Sequence, residues 1–479
     1  MNEFIRMVFS ELGNGIWKAI FAVLLAGGVL FYIYRMQRQK YGDDRPFPWK
    51  RSILIILLVG YLTIVEYATM SRLGVSAWSG ANLQLFRAWR EAWNHYSVKA
   101  WANVLLNVAL FVPLGVLVPL VFPKCRKGLR MLAVGFGTTL TVEFLQWVGG
   151  HGIFDVDDLF CNTVGAMMGY CGLITVSAVI RKRWCAGLLN FALFLIPVAA
   201  VGGIFLAYEI QPYGNLTQDY VCRVDTKDVT WILECDLPED SETAAVYRAN
   251  ALSVPECDEF ALQFAENWGG TYDDILYYDK ETYFRDYDSG DWMHYLTVSH
   301  LDGSYEFWAE SNRFDWQTAR WATLDREALE MVLSEYGIEV PQEAEFRCDG
   351  EEAGYYSHDN GWYCFRADQI VADDRLLHGT LYCRLSDDGA HITIHNRLIS
   401  YAYCADEEII SAEEAFRLLC DGYFNGEWFE RRKPARVSVQ NCTLGYEIDT
   451  KGFYQPVYYF EVMAPQWDGP DTVLISAMK

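Results

Sequence analysis

The sequence predicts a multi-domain protein: a polytopic α-helical membrane bundle of six transmembrane helices over residues 1–210, then an α+β extracytoplasmic domain over 211–479. Three observations carry this. Six apolar runs, roughly 16–34, 52–68, 102–122, 130–148, 159–180 and 187–208, each approach the ~20 residues a helix needs to cross a hydrocarbon core. Charge splits the chain as well. Residues 1–210 hold 19 of the 39 Lys+Arg and 11 of the 63 Asp+Glu, a net +8, and the remaining 20 basic and 52 acidic residues give 211–479 a net −32. Beyond 211 the apolar residues fall instead into capped helices and alternating strands.

The spans take their order and orientation from the flanking charges. The first run is followed by a basic segment and five further spans, so it reads as a membrane helix and not as a cleavable signal peptide. Lys and Arg gather after span one (Arg35, Arg38, Lys40, Arg45, Lys50, Arg51), after span three (Lys124, Arg126, Lys127, Arg130) and after span five (Arg181, Lys182, Arg183). Positive loops stay cytoplasmic, which puts the N-terminus and everything after 208 outside. The expected localisation is therefore the cell membrane, multi-pass, with both the N-terminus and the C-terminal domain extracytoplasmic.

Gln211-Pro212-Tyr213-Gly214-Asn215 has turn chemistry and reads as a linker. Ser253 with Glu256 makes a capping-box start for a helix that Gly269 ends, and strands around 295–298 and 305–308 follow through Asp302-Gly303. A second helix, about 324–336, stops at Gly337 and leads to strands 381–385 and 392–394 around Asp387-Asp388-Gly389. The third begins at Ser411 and Glu414 and passes into 437–446 and 457–462. Helix-then-hairpin units thus recur three times. Nine of the thirteen cysteines lie in this half, and buried thiols and disulfides are both open readings. Its strong negative charge excludes nucleic acid as a partner.

Function is carried by polar groups inside the spans. Asn103 and Asn107 lie four apart in span three; Glu143 and Gln146 lie three apart near the end of span four; Asp155, Asp157 and Asp158 open span five, with Asn162 one turn on. Alternating topology brings all of them to the outer surface, where Glu66 is placed to join them. Ionisable and amide groups inside a bilayer need partners or water, so their convergence reads as a site. Aspartates at a helix start also complement its dipole and its orphan N–H groups, but one suffices for that. Three acids beside Glu143 ask for a cation or a basic partner, and Arg72, Arg87, Arg90, Lys99 and His151 are the outer-loop candidates. Asp155, Asp157 and Asp158 are the candidate metal ligands, with Mg or Ca as the metal. Gly165 and Gly169 form a GxxxG pair suited to close helix approach, and Pro113 should kink span three.

The order of these motifs resembles the VanZ-like family of membrane proteins. The pattern runs Asn103-Val-Leu-Leu-Asn107, Phe111-Val-Pro113-Leu-Gly115, Glu143-Phe-Leu-Gln146, Asp155-Val-Asp157-Asp158 and Asn162-Thr-Val-Gly165, closing with Gly169-Tyr170, across about 100–180. Many members have an arginine shortly before the aspartates; here His151-Gly152-Ile153-Phe154 occupies that stretch. The resemblance implies a cell-envelope role associated with lowered sensitivity to teicoplanin-like lipoglycopeptides. The last helix-hairpin unit of the outer half is similar to PepSY-like extracytoplasmic modules, which implies a protein partner there.

Together these features predict a binding protein in which Asn103, Asn107, Glu143, Gln146, Asp155, Asp157, Asp158 and Asn162 engage a polar headgroup, a lipid-linked wall intermediate or a lipoglycopeptide at the outer leaflet. An alternative is a membrane-embedded metal-dependent hydrolase or transferase with Glu143 as general base. A further alternative is a membrane-anchored sensor that works through the outer domain.

Overall fold

The computed structural model describes every residue except 1, 42–45, 71–80, 240, 288–290, 348–360, 373, 427–428, 430–433 and 468, and describes 2–15 and 41 by backbone alone. Arg45, Arg72 and Cys348 lie outside the described residues. The chain divides into two units, Met1–Ala92 with Lys99–Gln211, and Trp93–Val98 with Pro212–Lys479.

The first unit is built on α1 (Asn2–Tyr41), α2 (Trp49–Met70), the two-residue strand β1 (Ala81–Asn82), the start of α3 (Arg87–His95), α4 (Val98–Val121), α5 (Gly128–Gly149), β2 (Phe154–Asp155), α6 (Val156–Ile180) and α7 (Trp184–Ile210). Six of these helices are long and apolar enough to cross a membrane, α1 through its Ile16–Lys40 portion, and they coincide with the six apolar runs. Large apolar side chains such as Leu57, Phe144, Trp147, Phe160 and Leu188 face outward. That pattern suits lipid contact, because a helix apolar on every side has no polar face to give to water.

Glycine sets the tightest contact in this unit. A Cβ added at Gly165 would lie 1.9 Å from the Val108 carbonyl oxygen, one at Gly169 2.0 Å from that of Val112, and one at Gly115 1.9 Å from that of Ala166. The GxxxG pair therefore works within the chain, seating α6 backbone-to-backbone on α4. Pro113 and Pro119 lie inside α4, which continues through both. Phe111, Leu114, Val118, Met131 and Tyr170 fill the core around that crossing.

The second unit opens with β3 (Thr230–Leu233) and β4 (Thr243–Arg248) and then repeats a simple pattern. Helix α8 (Val254–Trp268) precedes β5 (Asp274–Tyr277), β6 (Glu281–Asp286), β7 (Trp292–Ser299) and β8 (Tyr305–Ser311). Helix α9 (Arg326–Glu335) precedes β9 (Glu345–Arg347), β10 (Trp362–Ala372), β11 (Arg375–Leu385), β12 (His391–Asn396) and β13 (Ile399–Glu408). Helix α10 (Ala412–Cys420) precedes β14 (Arg436–Ile448), β15 (Phe453–Met463) and β16 (Asp471–Ser476). All three expected helices are present. The Ser253/Glu256 capping box closes in both directions, and Gly269 ends α8 at φ +84°.

Among the described residues, fourteen strands form one sheet, antiparallel except where β3 runs parallel to β14. Two long strands fork it. The C-terminal end of β11 pairs with β12 and its N-terminal end with β13, while β15 pairs with β4 at its start and β16 further on. Each wing has its own core. Phe264 of α8 with Leu329 and Leu333 of α9 pack on Phe284, Leu296, Phe307 and Phe365, and α10 packs Ala415 and Leu419 on Val437, Phe460 and Val473. Cys257, Cys383 and Cys442 are buried free thiols, which fits the buried-thiol reading, whereas the free thiols of Cys235 and Cys420 are half-buried and that of Cys404 is exposed. Burial pushes the Cys257 thiol up to about 11.

Candidate functional site

Several polar residues of the spans make their hydrogen bonds near the start of α6. Asp155 is the N-cap of that helix: its side chain accepts a hydrogen bond from the Asp157 backbone N–H at 2.8 Å. The backbone N–H of Asp155 itself donates to Glu143 Oε2 at 3.2 Å, which ties the last turns of α5 to the start of α6. Glu143 is 2% exposed. Desolvating a carboxylate so completely costs several kcal/mol, so the fold has to supply donors to it.

One turn deeper, Asn107 of α4 donates from Nδ2 to Asp158 Oδ1 in a short hydrogen bond. Asn162 donates to Thr139 Oγ1 at 2.9 Å, while its own Oδ1 is buried with no hydrogen-bond partner among the described residues. The glycine crossing makes this geometry available, because Asn107 directly precedes Val108, whose carbonyl rests on Gly165.

The segment between spans two and three bonds to the start of α6. Ala81 and Asn82 pair in parallel with Phe154 and Asp155, and Asn82 Nδ2 donates to Asp155 Oδ1 at 3.1 Å. Asp157 is 1% exposed, and its two oxygens accept from the backbone N–H groups of Phe86 at 2.5 Å and Ala88 at 2.7 Å. It thereby caps the N-terminus of α3 from 70 residues away, where a carboxylate complements the helix dipole.

The expected residues thus separate. Around the start of α6, Asn107 pairs with Asp158, Glu143 with the Asp155 backbone and Asn162 with Thr139, while Asp157 faces α3. Gln146 instead donates to the Thr69 carbonyl at 2.8 Å, fastening α5 to the end of α2. Asn103 is exposed, as are Glu66 and His151. Asn103 leaves the cluster because a four-residue step overshoots a full helical turn by about 40°, and Trp101 and Val104 occupy the packed side of that turn. Arg87 pairs with Glu91 at 3.1 Å. No three described His, Cys, Asp or Glu side chains converge as metal ligands, so the geometry does not join Asp155, Asp157 and Asp158 into a Mg or Ca site. Their different partners explain this: each carboxylate is directed at a different element. Asn82, Thr139 and the α3 amides were missed. The alternation of Phe86, Trp89 and Trp93 with Arg87, Arg90 and Glu91 was the available signal for α3.

The VanZ/LLP1 family model matches residues 49–179, from the start of α2 to the last turn of α6. This region is a VanZ-like domain. It begins about fifty residues earlier than the motifs alone suggested, and so takes in α2, β1 and α3 with the elements of the cluster. The match ends before Pro212, so the PepSY-like resemblance of the region beyond has no support from it. No curated protein matches the chain. A crystal structure of an uncharacterized protein from Eubacterium rectale ATCC 33656, at 1.45 Å resolution, is similar over 53% of this chain and 88% of its own, at 11% identity and a TM-score of 0.22.

Proposed function

We propose that the VanZ-like domain binds the polar headgroup of a membrane lipid, a lipid-linked wall intermediate or a lipoglycopeptide at the membrane face where α6 begins. Positive loop charge makes that face the outer one. The supporting observation is the cluster of Glu143, Asp158, Asn107 and Asn162, held by a backbone-to-backbone helix crossing at the ends of three spans. Carboxylates and amides within a membrane-spanning bundle are costly, Glu143 and Asn162 being buried here, and such groups mark ligand or ion paths. Asp155 and Asp157 serve this site indirectly by fixing β1 and the start of α3 to the start of α6.

Binding of a teicoplanin-like lipoglycopeptide or of its lipid-linked target would alter susceptibility to that drug class. The test compares cells expressing the wild-type chain, Glu143→Gln and Asn107→Ala at matched membrane abundance. Loss of the susceptibility difference in both variants supports the site; an unchanged difference at equal abundance refutes it. If the purified chain with Mg converts a lipid-linked substrate to product, the binder reading gives way to the hydrolase or transferase reading.

A further inference from the structure

We propose that residues 83–86, continued by Phe160, form a hook that inserts into the bilayer, with the acyl-chain edge of the lipid leaflet as its partner. Leu83, Leu85 and Phe86 are 70%, 47% and 49% exposed, an apolar tip interrupted by Gln84 alone. Contiguous exposed apolar surface of this kind marks an interaction site. Three features assign it to lipid.

The tip is held in place by specific bonds. Below it, β1 pairs with β2, and the Gln84 N–H donates to Asn82 Oδ1 at 3.1 Å. Phe86 has φ +68°, a left-handed backbone that bulky residues avoid, and Asp157 holds the amides of Phe86 and Ala88 on either side of Arg87. Strained backbone persists where surrounding bonds over-determine it, and here the effect is to keep the Phe86 ring outside the fold.

The second feature is continuity with a surface already assigned to lipid. The Phe86 ring meets Phe160 edge-on, at 5.2 Å between centroids and 81° between planes. Phe160 lies on the second turn of the membrane-crossing helix α6 and is 38% exposed. The hook therefore extends the apolar flank of a span. The third feature is charge. Arg87, paired with Glu91, and Arg90, exposed, follow the tip directly, so Arg90 is placed to meet a phosphate headgroup when the apolar residues reach past it.

The proposal needs α6 to cross a membrane and does not depend on what the polar cluster binds. A second copy of the chain is the competing occupant. The test uses the full chain in vesicles of phosphatidylglycerol and phosphatidylethanolamine, with the photocrosslinker benzoylphenylalanine replacing Leu83, Phe86, Phe160 or, as an exposed control in the second unit, Tyr403. Mass spectrometry should find lipid adducts at 83 and 86 as abundant as at 160 and about tenfold above those at 403, because acyl-buried side chains meet lipid and not water. Crosslinks to a second copy of the chain, or adducts no more abundant than at 403, would overturn it. Absence of adducts at 160 would do the same, by removing the surface that the hook extends. Positions 83 and 86 read out separately, so misfolding of one variant leaves the other decisive.

Discussion

Removing the Asp157 carboxylate should release α3 while leaving the spans in place. In the wild-type chain the two oxygens accept from Phe86 N at 2.5 Å and Ala88 N at 2.7 Å, from a residue 1% exposed. A hydrogen bond to a charged group contributes about 1.5–3 kcal/mol, which bounds the pair at roughly 3–6 kcal/mol. Amides at a helix start recover part of this by hydration, leaving about 2–4 kcal/mol. Local opening of residues 86–90 in Asp157→Ala should then be roughly 30- to 1,000-fold more frequent, at about 1.4 kcal/mol per decade. Asp157→Asn keeps one acceptor and should give about half the free-energy change. Hydrogen exchange of the full chain in lipid nanodiscs, followed by mass spectrometry, reads this directly, with the α8 peptide as internal reference. Unchanged exchange over 86–90 in Asp157→Ala would refute the capping role, and so would equal acceleration throughout the first unit.

Other expectations follow from the same geometry. Gly165→Ala should lower the melting temperature of the detergent-solubilised chain, since a Cβ there meets the Val108 carbonyl at 1.9 Å and overpacking costs about 1–3 kcal/mol or more; Gly172→Ala, whose nearest neighbour is Phe194 at 3.9 Å, should stay within about 0.5 kcal/mol. Asp449→Ala should destabilise the second unit by roughly 3–5 kcal/mol in urea unfolding followed by strand circular dichroism, because its fully buried carboxylate accepts from Gly214 N, Lys451 N, Phe453 N and Gln455 Nε2. His391 is buried against Phe314, and burial lowers its pKa to about 4. A depressed folded-state pKa means the unfolded chain binds the proton more readily, so stability present above pH ~6.5 declines as pH falls toward ~4, by less than burial alone would give because Glu310 Oε2 stands 3.4 Å from His391 Nδ1. His391→Gln should flatten the pH dependence of second-unit melting across that window; an unchanged slope would contradict the assignment.

Long-period features were legible from residues alone. Spans of about 20 apolar residues and the Ser253/Glu256 and Ser411/Glu414 helix starts are local signals, and each element follows from them. The forks in the sheet were not legible, because β11 divides its two ends between β12 and β13 through pairings that no local pattern specifies. In the candidate site alternating topology made the Asn107–Asp158 and Glu143–Asp155 contacts between neighbouring spans readable. The assignments of Asp157 and Asn82 were not: their partners are backbone amides and side chains some 70 residues distant, in a segment with too few residues to show a period. Asn103 failed for a different reason. Spacing of four puts two residues near one helix face, but which face is packed is decided by the Gly115, Gly165 and Gly169 contact.

A density map of the full chain in nanodiscs made from envelope lipids tests headgroup binding most directly. The account predicts non-protein density within hydrogen-bonding distance of Asp158, Glu143 or Asn162 Oδ1, and its loss in Glu143→Gln with the helices unmoved. A map with ordered lipid elsewhere around the bundle and nothing but protein at the start of α6 would contradict it.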